Sequence, residues 1–172
     1  MVRLRAGLSA VAVCLFLAPL SAHADWLDDA RAAFRGGDYD TARQLSEPMA
    51  EAGDPAALNI LGVLYFHGQG VEQDLQLGLD YYEAAVAQGH VIAMSNLAWI
   101  YYEGTNGSPP DPDRARNLAE AAAEAGNAEA LNTLGGMAEE GAFGPPDYAA
   151  AAERYRLAMD GGSADGINNL GG

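Results

Sequence analysis

The sequence predicts an all-α fold: a solenoid of stacked antiparallel helix pairs. Three observations lead there. The stretch 54–89 comes back as 90–126 and again as 127–162, and 163–172 opens one more copy. A fixed period of this size marks supersecondary units that stack on one another. Two columns of punctuation keep the same step: Asp38, Asp74, Asp111 and Asp147, and Gly53, Gly89, Gly126 and Gly162, are each spaced by 36, 37 and 36 residues. Apolar residues make up 49% of the chain, yet many are alanine, and glycine numbers 21. Such small residues suit closely packed helices better than a sheet, which favours β-branched and aromatic side chains.

The chain opens with a segment of different character. Arg3 and Arg5 precede a mostly apolar run over 8–20, and Ala22-His23-Ala24 places small residues at both positions of a cleavage site. Residues 1–24 therefore read as a secretory signal peptide cut after Ala24. The apolar run is 13 residues long, short of the roughly 20 that span a bilayer. Val13 stands where lipidation of Cys14 needs a small residue. The expectation is a periplasmic or secreted protein with no membrane insertion after cleavage.

Removing the leader removes the only cysteine, so no intrachain disulfide is expected in the remainder. It also leaves 24 acids against seven arginines, a net charge of −17. Such a surface repels nucleic acid and anionic lipid. No lysine occurs in the 172 residues. That excludes a P-loop, a Schiff-base lysine and a Ser-x-x-Lys pair within them.

Residues 25–36 read as a short amphipathic helix with Trp26 or Leu27, Ala30 and Phe34 on one stripe. Asp28 and Asp29 lie in its first turn and Arg35 near its end, as the helix dipole prefers. Asp38 caps a second helix running to about Ala52. Pro48 sits inside it, and a kink or restart is expected near Ser46-Glu47. Residues 25–53 thus form an N-terminal helix pair.

In the three full units, first helices are expected over 55–67, 91–103 and 128–140. Each ends at a glycine suited to the left-handed position: Gly68, Gly104 and Gly141. A short loop then leads to an aspartate N-cap at Asp74, Asp111 or Asp147. Ala57, Ala93, Ala130 and Gly166 align, as do Gly62, Ala98, Gly135 and Gly171, and Leu61, Leu97, Leu134 and Leu170. On the second helices Ala42, Gly78, Ala115 and Ala151 align, with Met49, Ala85, Ala122 and Ala158. Each pair leaves an apolar face that the next pair covers.

This pattern, Ala57…Leu61-Gly62…Tyr65…Gly68-x-Gly70-Val71…Asp74…Gly78…Tyr82…Ala84-Ala85…Gly89, resembles the Sel1-like repeat family, relatives of the tetratricopeptide repeats. The lead-in over 37–54 is similar to that of exported bacterial members. The resemblance implies a right-handed superhelical α-solenoid acting as an adaptor or binding scaffold. The chain departs from the pattern in three places. The second unit carries an extra residue within 105–110, Ala138 stands where Tyr65 and Tyr101 stand, and the last unit stops at Gly172. Some cysteine-rich relatives have been described as β-lactamases or penicillin binders. With neither cysteine nor lysine in the repeats, that activity is not carried over.

First helices of such solenoids line the concave face. One column there holds Asn59, Ser95 and Asn132, continued by Asn168. A neighbouring stripe holds Val63, Phe66, Trp99, Tyr102 and Glu139. Asparagine can donate to and accept from a bound backbone, and aromatics supply contact area. The alternative is that the same residues serve structure, with the asparagines joining neighbouring helices and Trp99 and Tyr102 in the core. No arginine stands on these three first helices, so an extended neutral or basic ligand suits them better than a carboxylate.

His67 closes a helix and His90 opens one, with no second ligand at metal spacing. Asp111, Asp113, Glu139 and Glu140 lack the ligand run of a calcium loop. Asn106-Gly107-Ser108 marks a turn rather than a used glycosylation site. No Gly-x-Ser-x-Gly or His-Glu-x-x-His occurs. The expectation is a non-enzymatic scaffold without metal or cofactor that binds a protein or peptide. Two alternatives stand beside it: a protein that binds or modifies cell-wall glycan or a β-lactam, and a truncated repeat protein stable only in an assembly.

Overall fold

Every pair of helices in this chain is punctuated by the same short-range chemistry. The computed structural model describes residues 22–105 and 109–162. Residues 1–21 of the signal-peptide reading over 1–24, Asn106 to Ser108 and the partial repeat over 163–172 lie outside the described residues. Eight helices follow one another among them: α1 (Ala22–Arg35), α2 (Tyr39–Glu51), α3 (Pro55–His67), α4 (Leu75–Val86), α5 (Val91–Glu103), α6 (Pro112–Glu124), α7 (Ala128–Glu140) and α8 (Tyr148–Asp160). Helix α1 starts three residues before the expected Asp25. None of the described helices is long and apolar enough to cross a membrane.

The four aspartates open the second helices. Asp38, Asp74, Asp111 and Asp147 accept from the N–H three residues on, at 3.2, 3.0, 3.1 and 2.9 Å. First helices open on Asp54, His90 and Asn127, each accepting in the same way. A cap of this kind contributes about 1 kcal/mol. The closing glycines take φ of 78–87°, a left-handed conformation that a side chain resists. The residue after each of the first three donates back into the turn: the Asp54, His90 and Asn127 N–H groups bond to the Met49, Ala85 and Ala122 carbonyls. Closing one pair and opening the next is therefore one local motif.

Between the helices of a pair, the cap residue's N–H bonds to the first helix: Asp74 to Tyr65, Asp111 to Tyr101 and Asp147 to Ala138, at 2.9, 2.7 and 2.8 Å. The backbone clip survives the change from tyrosine to Ala138. Gly68 and Gly141 are left-handed as expected, but Gly104 pairs φ 75° with an extended ψ of 176°. The longer loop explains this, because Pro110 packs directly against Gly104.

Neighbouring pairs stack in chain order, and α5 also packs against α7, so first helices meet each other. The small columns lie at the crossings. Ala57, Ala93 and Ala130 are fully buried, and Leu61, Leu97 and Leu134 are buried beside them. A Cβ placed on Gly62 would sit 2.8 Å from the ring of Tyr82, and one on Gly135 would strike the ring of Tyr155 harder still. In the middle unit both members of this pair change: Ala98 on the first helix, Ala119 on the second. Size is exchanged within each pair, as dense packing requires.

Helix α2 runs through Pro48 as one element, so the expected restart does not occur. Pro48 and Gln44, whose carbonyl loses its helical donor, both lie on the exposed side. On the buried side Ser46 Oγ donates to the Ala42 carbonyl at 2.7 Å.

Two predictions follow from this packing. Gly135→Ala forces the Tyr155 ring aside and should cost about 1–3 kcal/mol, the usual scale of overpacking, less the ~1 kcal/mol that alanine returns in helix propensity. In a Tyr155→Ala background the penalty should vanish, because Ala opposite Ala is the middle unit's own arrangement. Urea melts of the four proteins would show it; additive effects would reject the size exchange.

The second concerns His90. Its neutral Nδ1 accepts the Ala93 N–H at 3.2 Å. Burial first, and then Arg31, hold its pKa below the ordinary value, against a smaller opposing effect of Asp54. A depressed histidine stabilises the fold fully above its unfolded pKa of about 6.5. That contribution is lost as pH falls through the folded value, because the unfolded chain binds the proton more readily. His90→Asn retains a cap that does not titrate. Between pH 7.5 and pH 5.5 the wild type should lose urea resistance relative to this variant; parallel pH curves would reject the assignment.

Candidate binding groove

A helix buries its crossing column and its leucine spine, and what remains on the other side is decided by 3.6-residue spacing. On α5 that leaves Ser95, Asn96, Trp99, Tyr102 and Glu103. On α7 it leaves Glu129, Asn132, Thr133, Gly136, Glu139 and Glu140. Together with His67 and Tyr155 these residues line one cleft of about 640 Å³ between the first helices. That lies within the usual range for a ligand site. Trp99 is the large apolar side chain standing open there, 51% exposed.

Of the residues expected at the site, Ser95, Trp99, Tyr102, Asn132 and Glu139 come together in this cleft. Asn59 and Val63 line a smaller hollow of about 260 Å³ nearer the N-terminus. Asn59 is nearly buried and accepts a hydrogen bond from Asn96 Nδ2 at 3.2 Å. It ties α3 to α5 across the face. Phe66 is a correction: it is 7% exposed and belongs to the core. Its backbone lies where a Cβ on Gly78 would sit 2.7 Å away, so this column marks the crossing of α3 on α4. The same column turns half outward at Tyr102 and fully outward at Glu139.

Gly136 shapes the cleft. It occupies the register position of Val63 and Trp99 on the neighbouring helices but carries no side chain. The nearest atoms to a Cβ there would be those of the Tyr102 phenol, at ordinary distances of 3.4–3.7 Å. The space beside Trp99 is thus open because of a glycine that packing does not require. Gly135, one residue earlier, is required by Tyr155.

The electrostatics are one-sided. Glu103, Glu129, Glu139 and Glu140 line the cleft, and no arginine of the described residues does. The ion pairs of the described residues join Arg43 to Asp40 and Glu47, Arg114 to Glu83 and Arg116 to Glu120, all on second helices. Tyr155 donates to Glu139 Oε2 at 2.8 Å and Asn132 Nδ2 to Glu129 Oε2 at 3.3 Å. Burial first, and then the Glu139 bond, push the Tyr155 phenol upward, so it remains a donor. Burial and the adjacent Glu140 do the same at Tyr102. The smaller hollow differs: Arg31, Arg35 and His90 border it beside Phe34, Ile60 and Ile92. Basic residues therefore reach this face from α1, outside the three full units.

Sequence spacing missed Asn96, Glu103, Glu129, Thr133, Gly136 and Glu140. Extending each column by one further helical turn, from 129 through 132–133 and 136 to 140, would have found the α7 set. Tyr155 gave no such signal, since it reaches the cleft from α8 across Gly135.

The model of the Sel1 repeat matches residues 55–90, 91–127 and 128–163. No curated protein matches the chain significantly. Among solved structures, a Sel1 repeat protein from Oxalobacter formigenes superposes with a TM-score of 0.71 at 25% identity over 84% of this chain. A protective antigen present in uropathogenic Escherichia coli strains, displaying an SLR fold, superposes at 0.67 with 32% identity, also over 84%. The chain spans 59% of the first of these proteins and 32% of the second. The repeats, the helix-pair stack and these likenesses agree: this chain belongs to the Sel1 repeat family.

Proposed function

We propose that the chain is an exported, non-enzymatic scaffold that binds an extended protein or peptide segment, neutral or basic, on its concave face. The observation that carries this reading is the cleft between α5 and α7, where a half-exposed Trp99 stands among four glutamates with no arginine of the described residues beside it. Exposed aromatics in a formed cleft supply most of the contact energy in peptide recognition. The acidic face favours a neutral or basic partner through charge complementarity. Export rests on the leader over 1–24, and the working division is a helix pair over 25–53, units over 54–89, 90–126 and 127–162, and a partial repeat after them. Delivery to the periplasm or the exterior follows from that leader.

Stacking on Trp99 also suits a sugar ring, so cell-wall glycan is the second reading. A test separates them. Peptides selected from a random display library should bind the wild type and lose about tenfold or more in affinity with Trp99→Ala, since truncating a central aromatic costs about 2 kcal/mol. Peptidoglycan fragments should neither bind nor be turned over. Selected peptides indifferent to Trp99→Ala, or turnover of glycan or nitrocefin abolished by Glu139→Gln, would overturn the proposal.

A further inference from the structure

We infer that the cleft between α5 and α7 is a seat for a guanidinium group, an arginine side chain carried by the segment bound on this face. The inference rests on the peptide-binding reading and narrows it. Its first support is a pattern the chain uses twice within itself. Arg114 lies 4.2 Å from the centroid of the Tyr101 ring and reaches Glu83 Oε1 at 3.1 Å. Arg116 lies 4.4 Å from the centroid of Phe143 and reaches Glu120 at 3.5 Å. In both, a guanidinium rests on an aromatic face while a glutamate holds its edge. The cleft presents the same two components, Trp99 and the rim glutamates, with no arginine of the described residues among them.

A second, independent observation concerns polar groups inside the cleft. Ser95 and Thr133 line it and are each only 5% exposed. Neither hydroxyl hydrogen-bonds to another described residue. Both hydroxyls can accept from a planar donor group held in the cleft. Guanidinium suits this better than ammonium. It offers five N–H donors in a fork, stacks flat on indole and is more weakly hydrated. The smaller hollow, bordered by Arg31 and Arg35, repels a cation, so the seat belongs to the α5–α7 end.

The probe is a short acetylated and amidated peptide, Gly-Gly-Arg-Gly-Gly, compared by calorimetry with versions carrying lysine or citrulline at the centre. Citrulline keeps the shape and removes the charge. The arginine peptide should bind on the order of tenfold more tightly than the citrulline peptide, the scale of one desolvated cation–aromatic contact, and more tightly than the lysine peptide. Glu103→Gln with Glu140→Gln should abolish that preference, whereas Glu153→Gln with Asp160→Gln, the same charge change on α8, should preserve it. Gly136→Leu should block the peptide while the urea midpoint stays close to wild type. Equal binding of arginine and citrulline peptides, with binding still lost in Trp99→Ala, would overturn the guanidinium seat and leave the groove. Equal binding of arginine and lysine peptides would overturn the guanidinium preference. Binding indifferent to Trp99→Ala would overturn both.

Discussion

The structure depends on close approach at the helix crossings. Gly62 lies under the Tyr82 ring, Gly78 under the Phe66 backbone and Gly135 under the Tyr155 ring, each with no room for a methyl group. Such contacts fix how far the two helices of a pair sit from each other, because packed interiors do not yield by fractions of an ångström without cost. They also fix rotation. Once Ala57, Ala93 and Ala130 face inward with Leu61, Leu97 and Leu134, the opposite stripe of every first helix must face out. The cleft is what that stripe becomes when α5 and α7 are brought side by side.

Charge follows the same division. The arginines of the middle of the chain lie on second helices and are occupied there by Glu47, Glu83 and Glu120. Around Tyr101 the arrangement is dense enough that burial, and then the Glu83 bond, push its phenol up to about 12. These exposed pairs contribute little stability singly. Their consequence is distribution: the arginines are spent on the outer layer, and the first-helix glutamates face the cleft without them. A chain with 24 acidic residues has many places to put negative charge, and four of them line one cleft beside an exposed tryptophan.

Much of the fold was legible because its signals are local. Aspartates at fixed spacing cap helices, and glycines after the last apolar residue close them. The three first helices fall on 55–67, 91–103 and 128–140, as the spacing requires. Pro48 misled because propensity reasoning ignores facing: with the ring toward solvent, the helix passes through. Gly104 misled because its neighbour Pro110 sits across a longer loop. The site was less legible. Asn59 and Phe66 share columns with cleft residues yet serve packing, since a column describes register and not the partner at each level. Asn96 pairing with Asn59, and Tyr155 reaching over Gly135, are relations between helices that no single stretch of sequence displays.

The central claim is that packing is assigned to one side of each first helix and recognition to the other. Chemical-shift mapping with a library-selected peptide tests it most directly. The account predicts that perturbed amides gather within 95–103 and 129–140, with the Trp99 indole N–H among the largest shifts and Trp26 unmoved. Perturbations gathered instead on the second helices, within 75–86, 112–124 or 148–160, would contradict it.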